Sequence, residues 1–442
     1  MNGTQHIARS HGGVIDDLVA GTWHHPRTGE RAKIPNANIV IAEALDGAEA
    51  DLVAPLHRGQ SLVVVADRFT YDVLGSRIRD RLRALGPVDA LVWEKPRCSE
   101  DGVAELRGLT RNADAVIAVG SGTVSDSVKY ATFLDGKPYS VFPTSPMNAY
   151  TTPTASVSFG GFKRSITAHA ARGVFFDLSI LAKCPPRLIT AAFADVVCRT
   201  TSQVDWLLSH LILSTRYDDT AYQLLAYDEA TMLDRAGDFA SGDIEALAVL
   251  TRIAAIMGLG TSFTGTTHSG SMAEHMMSHY IDMFAGDRHP GSSHGEQVGV
   301  TTLTISALHN RILGSETPPV LHPGSIPRAH LAARYGQAMA DEFARQAEAK
   351  ALDGPAVDAL NRRWSDDWQG FVAPLRSAML PYQRLWEPMT RAGAPRTAAE
   401  LGLDVGFYRD DIRDARFTRD RFSILDLAAD AGLLDAFADT AR

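Results

Sequence analysis

The first half of the chain alternates short apolar runs with amphipathic stretches of helical periodicity. The apolar runs have the length and composition of buried parallel strands and cover 61–67, 90–93, 115–119 and 139–142. The amphipathic stretches between them cover 71–85, 101–111 and 124–134. This alternation predicts a doubly wound parallel sheet. A β-hairpin is predicted over 155–166, because the central Gly160 and Gly161 tolerate the positive φ of a tight turn.

After Pro185 the pattern changes, and strand-like runs nearly vanish. Helical periodicity instead covers 188–214, 243–258 and 330–351. We therefore predict an N-terminal α/β domain over 38–182 and an all-helical domain over 183–442. Residues 1–37 form an N-terminal extension to which the sequence assigns no role.

Composition and charge narrow the functional classes. Of the 442 residues 45% are hydrophobic and 21% charged, which is typical of a globular protein. The net charge of −9 argues against nucleic acid or an anionic membrane surface as a partner. No apolar run approaches the roughly 18 residues of a membrane span, so none is expected. Without a secretory apolar region near the start, we expect a cytoplasmic protein.

A glycine loop supplies the first candidate chemistry. Gly120, Ser121, Gly122 and Thr123 follow a predicted strand and precede a predicted helix, where backbone N–H groups can hold a pyrophosphate. The loop departs from the usual GxGxxG pattern, so a tight turn that binds nothing stays an alternative. Asp67 ends the first predicted strand. Its carboxylate would accept hydrogen bonds from a ribose and repel a 2′-phosphate, or it caps a helix.

Three histidines suggest a metal site. His275 and His279 are four residues apart and would share one helix face, and His294 precedes another helical stretch. With one carboxylate, imidazoles form a site for Zn, Ni or Fe(II) that keeps a position open for substrate. Solvent-facing histidines are the alternative. Nothing in the pattern separates Asp195 from other carboxylates, and a helix cap or an ion pair with Arg199 would also explain it.

Residues 120–129, GSGTVSDSVK, resemble the GSGTxxDxxK loop of glycerol-1-phosphate dehydrogenases, a branch of the iron-containing alcohol dehydrogenase and dehydroquinate synthase superfamily. Further matches follow in the family's order: Phe142-Pro143-Thr144, Phe193-Ala194-Asp195, 205–210 (DWLLSH), Glu274-His275, His294-Gly295 and 419–427 (RDRFSILDL). The resemblance covers almost the whole chain. It implies a dinucleotide-binding α/β domain followed by a helical metal-binding domain, and a homodimer.

The resemblance also assigns roles to single residues. It implies metal ligation by Asp195, His275 and His294, and substrate contact by His279 beside the metal. The residues implied to bind the dinucleotide, NAD or NADP, are Gly120, Ser121, Gly122, Thr123, Asp126, Lys129, Thr144 and Thr152, together with Asp67.

Departures from the family pattern concern the substrate. Asn148 stands where a substrate-contacting aspartate is expected, and an amide supplies neither charge nor a general base. His268 replaces an arginine suited to phosphate, and His169 replaces a lysine, whereas Lys163 is retained. Losing two cations weakens the case for a phosphorylated substrate, although drift in a peripheral loop would look the same.

The resemblance predicts a metal-dependent NAD(P)-linked oxidoreductase for a secondary alcohol and its ketone. The expected substrate is glycerol 1-phosphate with dihydroxyacetone phosphate, or a related small polyol, and the expected catalytic residues are His279, Asn148 and Lys163. A sugar-phosphate cyclase that uses the same metal and NAD is the alternative, and Asp195 counts against it because that class uses glutamate there. A non-catalytic binding protein is a third possibility, supported only by the altered substrate loop.

Overall fold

A computed structural model describes residues 9–160 and 162–441, which fall into two compact units. The first, here called the sheet unit, comprises the described residues of Met1–Val196 together with Asp219–Thr267. The second, the helical unit, comprises Val197–Asp218 and the described residues of His268–Arg442. These units do not coincide with 38–182 and 183–442. The predicted division into a dinucleotide-binding domain over 38–182 and a metal-binding domain over 183–442 stays a prediction.

All strands found in the described residues belong to the sheet unit. They are β1 Asn38–Ala42, β2 Leu62–Asp67, β3 Val88–Trp93, β4 Ala115–Gly120, β5 Tyr139–Pro143, β6 Thr154–Phe159, β7 Phe162–Thr167 and β8 Gly173–Asp177. Six of them form a parallel sheet in the order β1-β8-β5-β4-β2-β3. β6 and β7 form the predicted antiparallel hairpin, with Gly160 at φ +53° in its turn.

Helices fill the rest of both units. In the sheet unit they are α1 Val14–Ala20, α2 Glu49–Val53, α3 Arg68–Thr70, α4 Ser76–Leu82, α5 Glu100–Leu109, α6 Gly122–Leu134, α7 Leu178–Leu181, α8 Pro186–Val196, α10 Thr220–Leu225, α11 Glu229–Asp234 and α12 Ile244–Thr264. In the helical unit they are α9 Arg199–Leu213, α13 Ala273–Phe284, α14 His294–Leu313, α15 Arg328–Tyr335, α16 Gln337–Glu348, α17 Gly354–Ala378, α18 Gln383–Arg391, α19 Ala398–Leu401, α20 Val405–Asp414, α21 Ile424–Asp430 and α22 Leu434–Ala438.

The predicted fold class is confirmed: a parallel sheet with helices occupies the N-terminal part, and only helices follow β8 in the described residues. β1 and β8 were not among the predicted strands. Both lie at one side of the sheet, where β1 pairs in register with β8 from Asn38 opposite Gly173.

Three predicted helices are interrupted in the structure. The stretch 71–85 begins with a π-helical turn, Tyr71–Gly75, and ends with the 3₁₀ turn Arg83–Leu85. The stretch 188–214 divides into α8 and α9, and 330–351 divides at Gly336, whose φ of +81° no regular helix adopts. Apolar periodicity continues across each break, so the pattern alone does not reveal it.

The prediction that no apolar run approaches membrane-spanning length is wrong for α12. Its 21 residues contain an 18-residue window with a mean hydropathy of 1.6, which is enough to cross a membrane by length and composition. A buried core helix passes the same test, and 83% of this window is buried. We therefore treat α12 as a core element of the sheet unit.

The N-terminal extension packs onto the sheet unit. The His11 N–H donates to the Ile41 carbonyl at 2.8 Å, so the extension runs beside β1. Arg252 on α12 donates to the His11 carbonyl at 2.9 Å and pairs with Asp228. These contacts give residues 9–37 a structural place without assigning them a chemical role.

Candidate functional site

The glycine loop forms the turn between β4 and α6. Ser121 is the N-cap of α6 and makes no side-chain capping hydrogen bond. The first intrahelical bond is donated by Ser125, so the preceding N–H groups at this terminus lack intrahelical acceptors. A Cβ on Gly122 would meet only Ala149 Cβ at 3.8 Å and Met147 Sδ at 3.9 Å. Gly122 is therefore not required for packing, and its missing side chain leaves space beside the N-terminus of α6.

Gly120 has a structural task in this turn, and Asp67 has one in the turn between β2 and α3. A Cβ on Gly120 would lie 3.0 Å from Val124 Cβ, so this glycine permits the close approach of strand and helix. Asp67 caps α3: its Oδ1 accepts from the Thr70 N–H at 2.9 Å, and the Thr70 hydroxyl accepts from the Asp67 N–H at 3.1 Å. The helix-cap alternative thus holds, and Oδ2 would be the oxygen to contact a ribose.

Asp126 and Lys129 form a buried ion pair beneath the loop. Lys129 Nζ donates to Asp126 Oδ1 at 2.9 Å and to the carbonyls of Ala149 and Thr154 at 2.7 and 2.8 Å. An ammonium group has three N–H donors, so all of them are used within the chain. The pair therefore holds the segment after β5 against α6, and any effect of Lys129 on a dinucleotide would pass through that segment.

The segment after β5 carries Thr144, Asn148 and Thr152 and lies directly on α12. The Thr144 N–H donates to the Gly120 carbonyl at 3.2 Å, which joins this segment to the glycine loop. The Thr151 hydroxyl donates to the Ala255 carbonyl on α12 at 2.7 Å. A Cβ on Gly258 would lie 2.3 Å from the Asn148 carbonyl oxygen and 2.1 Å from Thr151 Oγ1. Only glycine at 258 allows this approach.

Asn148 contacts a predicted metal ligand. Its Nδ2 donates to Asp195 Oδ2 at 3.0 Å, and Asp195 is buried near the end of α8. An aspartate at position 148 would place a second carboxylate against Asp195, whereas the amide can donate to it. The structure therefore gives Asn148 a role that its sequence position did not suggest, which is to orient Asp195.

The three histidines cluster in the helical unit. His275 and His279 lie on α13, and His294 is the first residue of α14. The ring centroid of His294 is 5.1 Å from that of His275 and 5.6 Å from that of His279. The solvent-facing alternative is wrong for His275 and His279, because both are buried.

Hydrogen bonds define the tautomer of His294. Gln297 Nε2 donates to Asp282 Oδ1 at 3.1 Å, so its Oε1 is the atom that accepts from the Ser278 hydroxyl at 2.8 Å. The single hydroxyl proton is then used, and at 2.9 Å Ser278 Oγ accepts from His294 Nδ1. The unprotonated nitrogen is Nε2, which is the form of imidazole that binds a divalent metal.

His275 is oriented in the same way by Glu274. Its Nδ1 donates to Glu274 Oε1 at 3.1 Å, and the carboxylate also accepts from the Met272 N–H and the Thr201 hydroxyl. Burial opposes the charge on Glu274, but the hydrogen bonds from His275 and Met272 still hold the pKa of this carboxyl below its usual range. Both histidines therefore have the tautomer and the support typical of metal ligands.

Sequence reasoning missed Glu274 and Ser278 as supporting residues. Glu274 directly precedes His275, and Ser278 lies three positions after it, but only the folded helices show which nitrogen each one contacts. Cys198 is a further neighbour, because its Sγ, a Glu274 carboxylate oxygen and a His275 nitrogen lie within 4.8 Å of one another.

His268 and His169, which replace two cations of the family pattern, supply no positive charge for a substrate phosphate. His268 is partly buried, and this burial together with the charges of Arg421 and Arg419 lowers its pKa to about 3, so it is neutral at pH 7. His169 makes a 2.9 Å hydrogen bond with Thr132 Oγ1, and burial lowers its pKa. Lys163 lies on β7 in the hairpin, paired across from Ser158.

Comparison with known proteins identifies what this arrangement resembles. Residues 40–185 match the family model described as iron-containing alcohol dehydrogenase. The chain is 30% identical over 262 residues to a glycerol-1-phosphate dehydrogenase [NAD(P)+] from Geobacillus thermodenitrificans, covering 57% of this chain and 65% of that protein. It is 24% identical over 424 residues to a protein of the same name from Bacillus licheniformis, covering 94% and 92%. In the first case the chain spans slightly less than two thirds of its relative's length.

A solved structure supports the fold. The glycerol dehydrogenase of Schizosaccharomyces pombe superposes with a TM-score of 0.60 at 15% identity, covering 92% of this chain and 90% of that one. Identity this low shows the fold alone. The family model and the sequence relatives confirm the resemblance drawn from the motifs.

Proposed function

We propose that this chain, a member of the iron-containing alcohol dehydrogenase family related to its glycerol-1-phosphate dehydrogenases, is a metal-dependent NAD(P)-linked oxidoreductase. It would interconvert a secondary alcohol and a ketone, with a small polyol or polyol phosphate as substrate. The observation that carries the proposal is the pair His275 and His294, whose rings are held through Nδ1, so that Nε2 would be the coordinating atom of each. We also propose a homodimer, which the resemblance implies.

The proposed metal ligands are Asp195, His275 and His294. Two imidazoles and a carboxylate form a donor set suited to zinc, nickel or ferrous iron, and we propose zinc as one metal that the site accepts. Such a metal, when bound, would lower the pKa of a coordinated substrate hydroxyl and polarise the corresponding carbonyl. Asn148 would orient the carboxylate of Asp195, and Glu274 and Ser278 would orient the two imidazoles.

The chain's own proton-handling group would be His279. It is buried one helical turn from His275, and its ring centroid lies 6.4 Å from that of His275. In this position its ring could donate a proton to a hydroxyl of the substrate or accept a proton from that hydroxyl. Lys163 is the remaining predicted substrate contact, and the structure offers no independent support for it.

The proposed dinucleotide site is the turn between β4 and α6. The N–H groups at the start of α6 would hold the pyrophosphate above Gly122, and a bound nicotinamide would accept or donate the hydride. Thr144 and Thr152 lie on the neighbouring segment. Asp67, if it contacts the ribose through Oδ2, would favour NAD over NADP.

Metal content and turnover of a single ligand variant test the proposal. After reconstitution with zinc, His294→Ala should lose both stoichiometric metal and ketone-dependent oxidation of NADH. His322→Ala is the matched control, because His322 is an exposed histidine of the helical unit. A His294→Ala variant that keeps full metal content and turnover would refute the ligand assignment.

A further inference from the structure

Asp205 is a buried carboxylate of α9 that the proposed function does not use. It opens the motif 205–210, and it is neither a proposed metal ligand nor part of the glycine loop. Its side chain is fully buried, and a carboxylate in such a place is costly unless hydrogen bonds or a cation offset its lost hydration. The partners of Asp205 therefore indicate what it does.

Three other elements of the helical unit contact Asp205. Its Oδ1 accepts from the Ile424 N–H at 2.9 Å and makes a 2.8 Å hydrogen bond with His309 Nε2. Its Oδ2 accepts from the Ala273 N–H at 3.3 Å. Ala273 and Ile424 are the first residues of α13 and α21, and His309 lies on α14. One carboxylate of α9 therefore joins α14 to the starts of α13 and α21.

The start of α13 depends on acceptors from outside its own cap. The N-cap residue Met272 makes no side-chain capping hydrogen bond, so the first N–H groups of the helix need other partners. Glu274 accepts from the Met272 N–H at 2.7 Å, and Asp205 accepts from the Ala273 N–H. Negative charge at a helix N-terminus also interacts favourably with the helix dipole. Two carboxylates thus share the capping of the helix that carries His275.

This sharing leaves Glu274 available to His275. Glu274 Oε1 accepts from His275 Nδ1 at 3.1 Å as well as from the Met272 N–H. Ala273 precedes His275 by two residues, so a displaced start of α13 would displace the imidazole with it. If Asp205 did not accept from the Ala273 N–H, this buried donor would compete for Glu274. Asp205 therefore supports His275 without touching it.

Asp205 is itself held by an anchored segment. Ile424, which donates to Asp205, belongs to the motif 419–427. The same motif is fixed by the buried Lys350, whose Nζ donates to Asp426 Oδ2 at 2.9 Å and to two backbone carbonyls. A group that orients others acts best when its own position is fixed by packing and hydrogen bonds. This contact gives the closing motif a structural reason.

We propose that Asp205, oriented by His309, is a positioning residue for the metal ligand His275. By accepting from the Ala273 N–H it fixes the start of α13 and leaves Glu274 to hold the imidazole. This inference rests on the proposed function, which assigns His275 to the metal. It adds to that function a residue that touches neither metal nor substrate and still affects metal affinity.

Zinc affinity, measured by chelator competition, tests the inference. The amide of Asp205→Asn keeps the shape of the side chain but has one acceptor oxygen, so it cannot accept from Ala273 on one side and from Ile424 on the other. We expect the Kd of zinc to rise about ten-fold, as for other groups that support metal ligands. In Co²⁺-substituted protein, the d–d absorption bands should shift, because they report the positions of the ligands.

Two controls separate positioning from stability. Leu434→Ala removes buried apolar volume from α22, so it should lower the free energy of unfolding in urea without changing the Kd of zinc or the Co²⁺ spectrum. Asp353→Asn makes the same substitution at the N-cap of α17, a helix without metal ligands, and should leave both unchanged. If Asp205→Asn behaved like Leu434→Ala, with lower stability but wild-type zinc affinity, Asp205 would be merely structural and the inference would be overturned.

A second pair of variants decides the matter if Asp205→Asn does not fold. His309→Gln can still make a hydrogen bond with Asp205, whereas His309→Leu cannot. We expect His309→Leu to weaken zinc binding and His309→Gln to restore most of it, and wild-type affinity in both would overturn the inference. Zinc affinity that depends on Asp205, without ketone-dependent NADH oxidation, would support the inference and refute the proposed function. Normal NADH oxidation with unchanged zinc affinity in Asp205→Asn would overturn the inference alone.

Discussion

Gly258→Ala tests how α12 positions the segment that carries Asn148. The added Cβ would lie 2.3 Å from the Asn148 carbonyl oxygen, 2.1 Å from Thr151 Oγ1 and 3.1 Å from the Thr152 nitrogen. Reaching an ordinary separation above about 3.2 Å requires the segment to move by roughly 1 Å, because the backbone atom cannot rotate away. Such a shift would stretch the 2.7 Å bond from Thr151 to Ala255 and the 3.0 Å bond from Asn148 to Asp195 beyond hydrogen-bond range.

The expected change in the free energy of unfolding of Gly258→Ala is the sum of two opposing effects. Overpacking destabilises by about 1–3 kcal/mol, and replacing a helical glycine by alanine returns about 0.5–1 kcal/mol. We expect Gly258→Ala to lower the free energy of unfolding by about 1–2 kcal/mol in urea titrations, and to weaken metal binding because Asp195 loses its partner. Gly108→Ala is the matched control, since a Cβ on this helical glycine of α5 meets nothing within 4 Å. If Gly258→Ala were as stable as Gly108→Ala and bound metal normally, the close approach would not matter and the reasoning would be refuted.

Four further expectations follow from single contacts. Ser278→Ala should weaken zinc binding by about ten- to a hundred-fold in chelator competition, because His294 Nδ1 loses its acceptor, and an unchanged affinity would contradict the tautomer argument. Lys129→Met should lower stability by about 3–5 kcal/mol in urea titrations, because Asp126 is left buried without its cation; a variant of wild-type stability would show that the ion pair does not hold the segment. Gly122→Ala should raise the Kd of NADH in fluorescence titrations without changing Tm, and normal NADH affinity would exclude the loop as the pyrophosphate site. Burial, together with the charge of Asp414, raises the pKa of Asp411 well above its usual value, so the unfolded chain releases this proton first and stability falls as pH rises above about 4. Asp411→Asn should therefore gain stability over the wild type as the pH is raised from 5 to 8, whereas Asp358→Asn, an exposed control, should show no such trend.

The sequence predicted the elements better than their interruptions. Apolar runs identified β2, β4 and β5 because buried parallel strands need continuous apolar side chains. The division between α8 and α9 escaped the pattern, since both helices keep their apolar periodicity on either side of it. The length of α12 was also underestimated: the predicted stretch ends at residue 258, whereas the helix continues to Thr264.

For the candidate site, too, the sequence predicted some features and missed others. Motifs singled out His275 and His294, but which nitrogen each ring presents depends on Glu274, Ser278 and Gln297, which only tertiary structure brings into place. From the sequence, Asn148 was expected to contact the substrate without supplying a charge or a general base. In the structure the amide contacts Asp195, a residue distant in sequence, and no local pattern encodes that contact.

The central claim is that this chain catalyses a metal-dependent, NAD(P)-linked interconversion of alcohol and ketone. The most direct measurement is the oxidation of NADH and NADPH by zinc-reconstituted protein with dihydroxyacetone phosphate or dihydroxyacetone, before and after chelation. We predict oxidation of the cofactor that requires both ketone and metal, with dihydroxyacetone phosphate preferred. Consumption of a sugar phosphate without net change in NADH would instead indicate a cyclase, and tight NAD binding without any turnover would contradict the claim altogether.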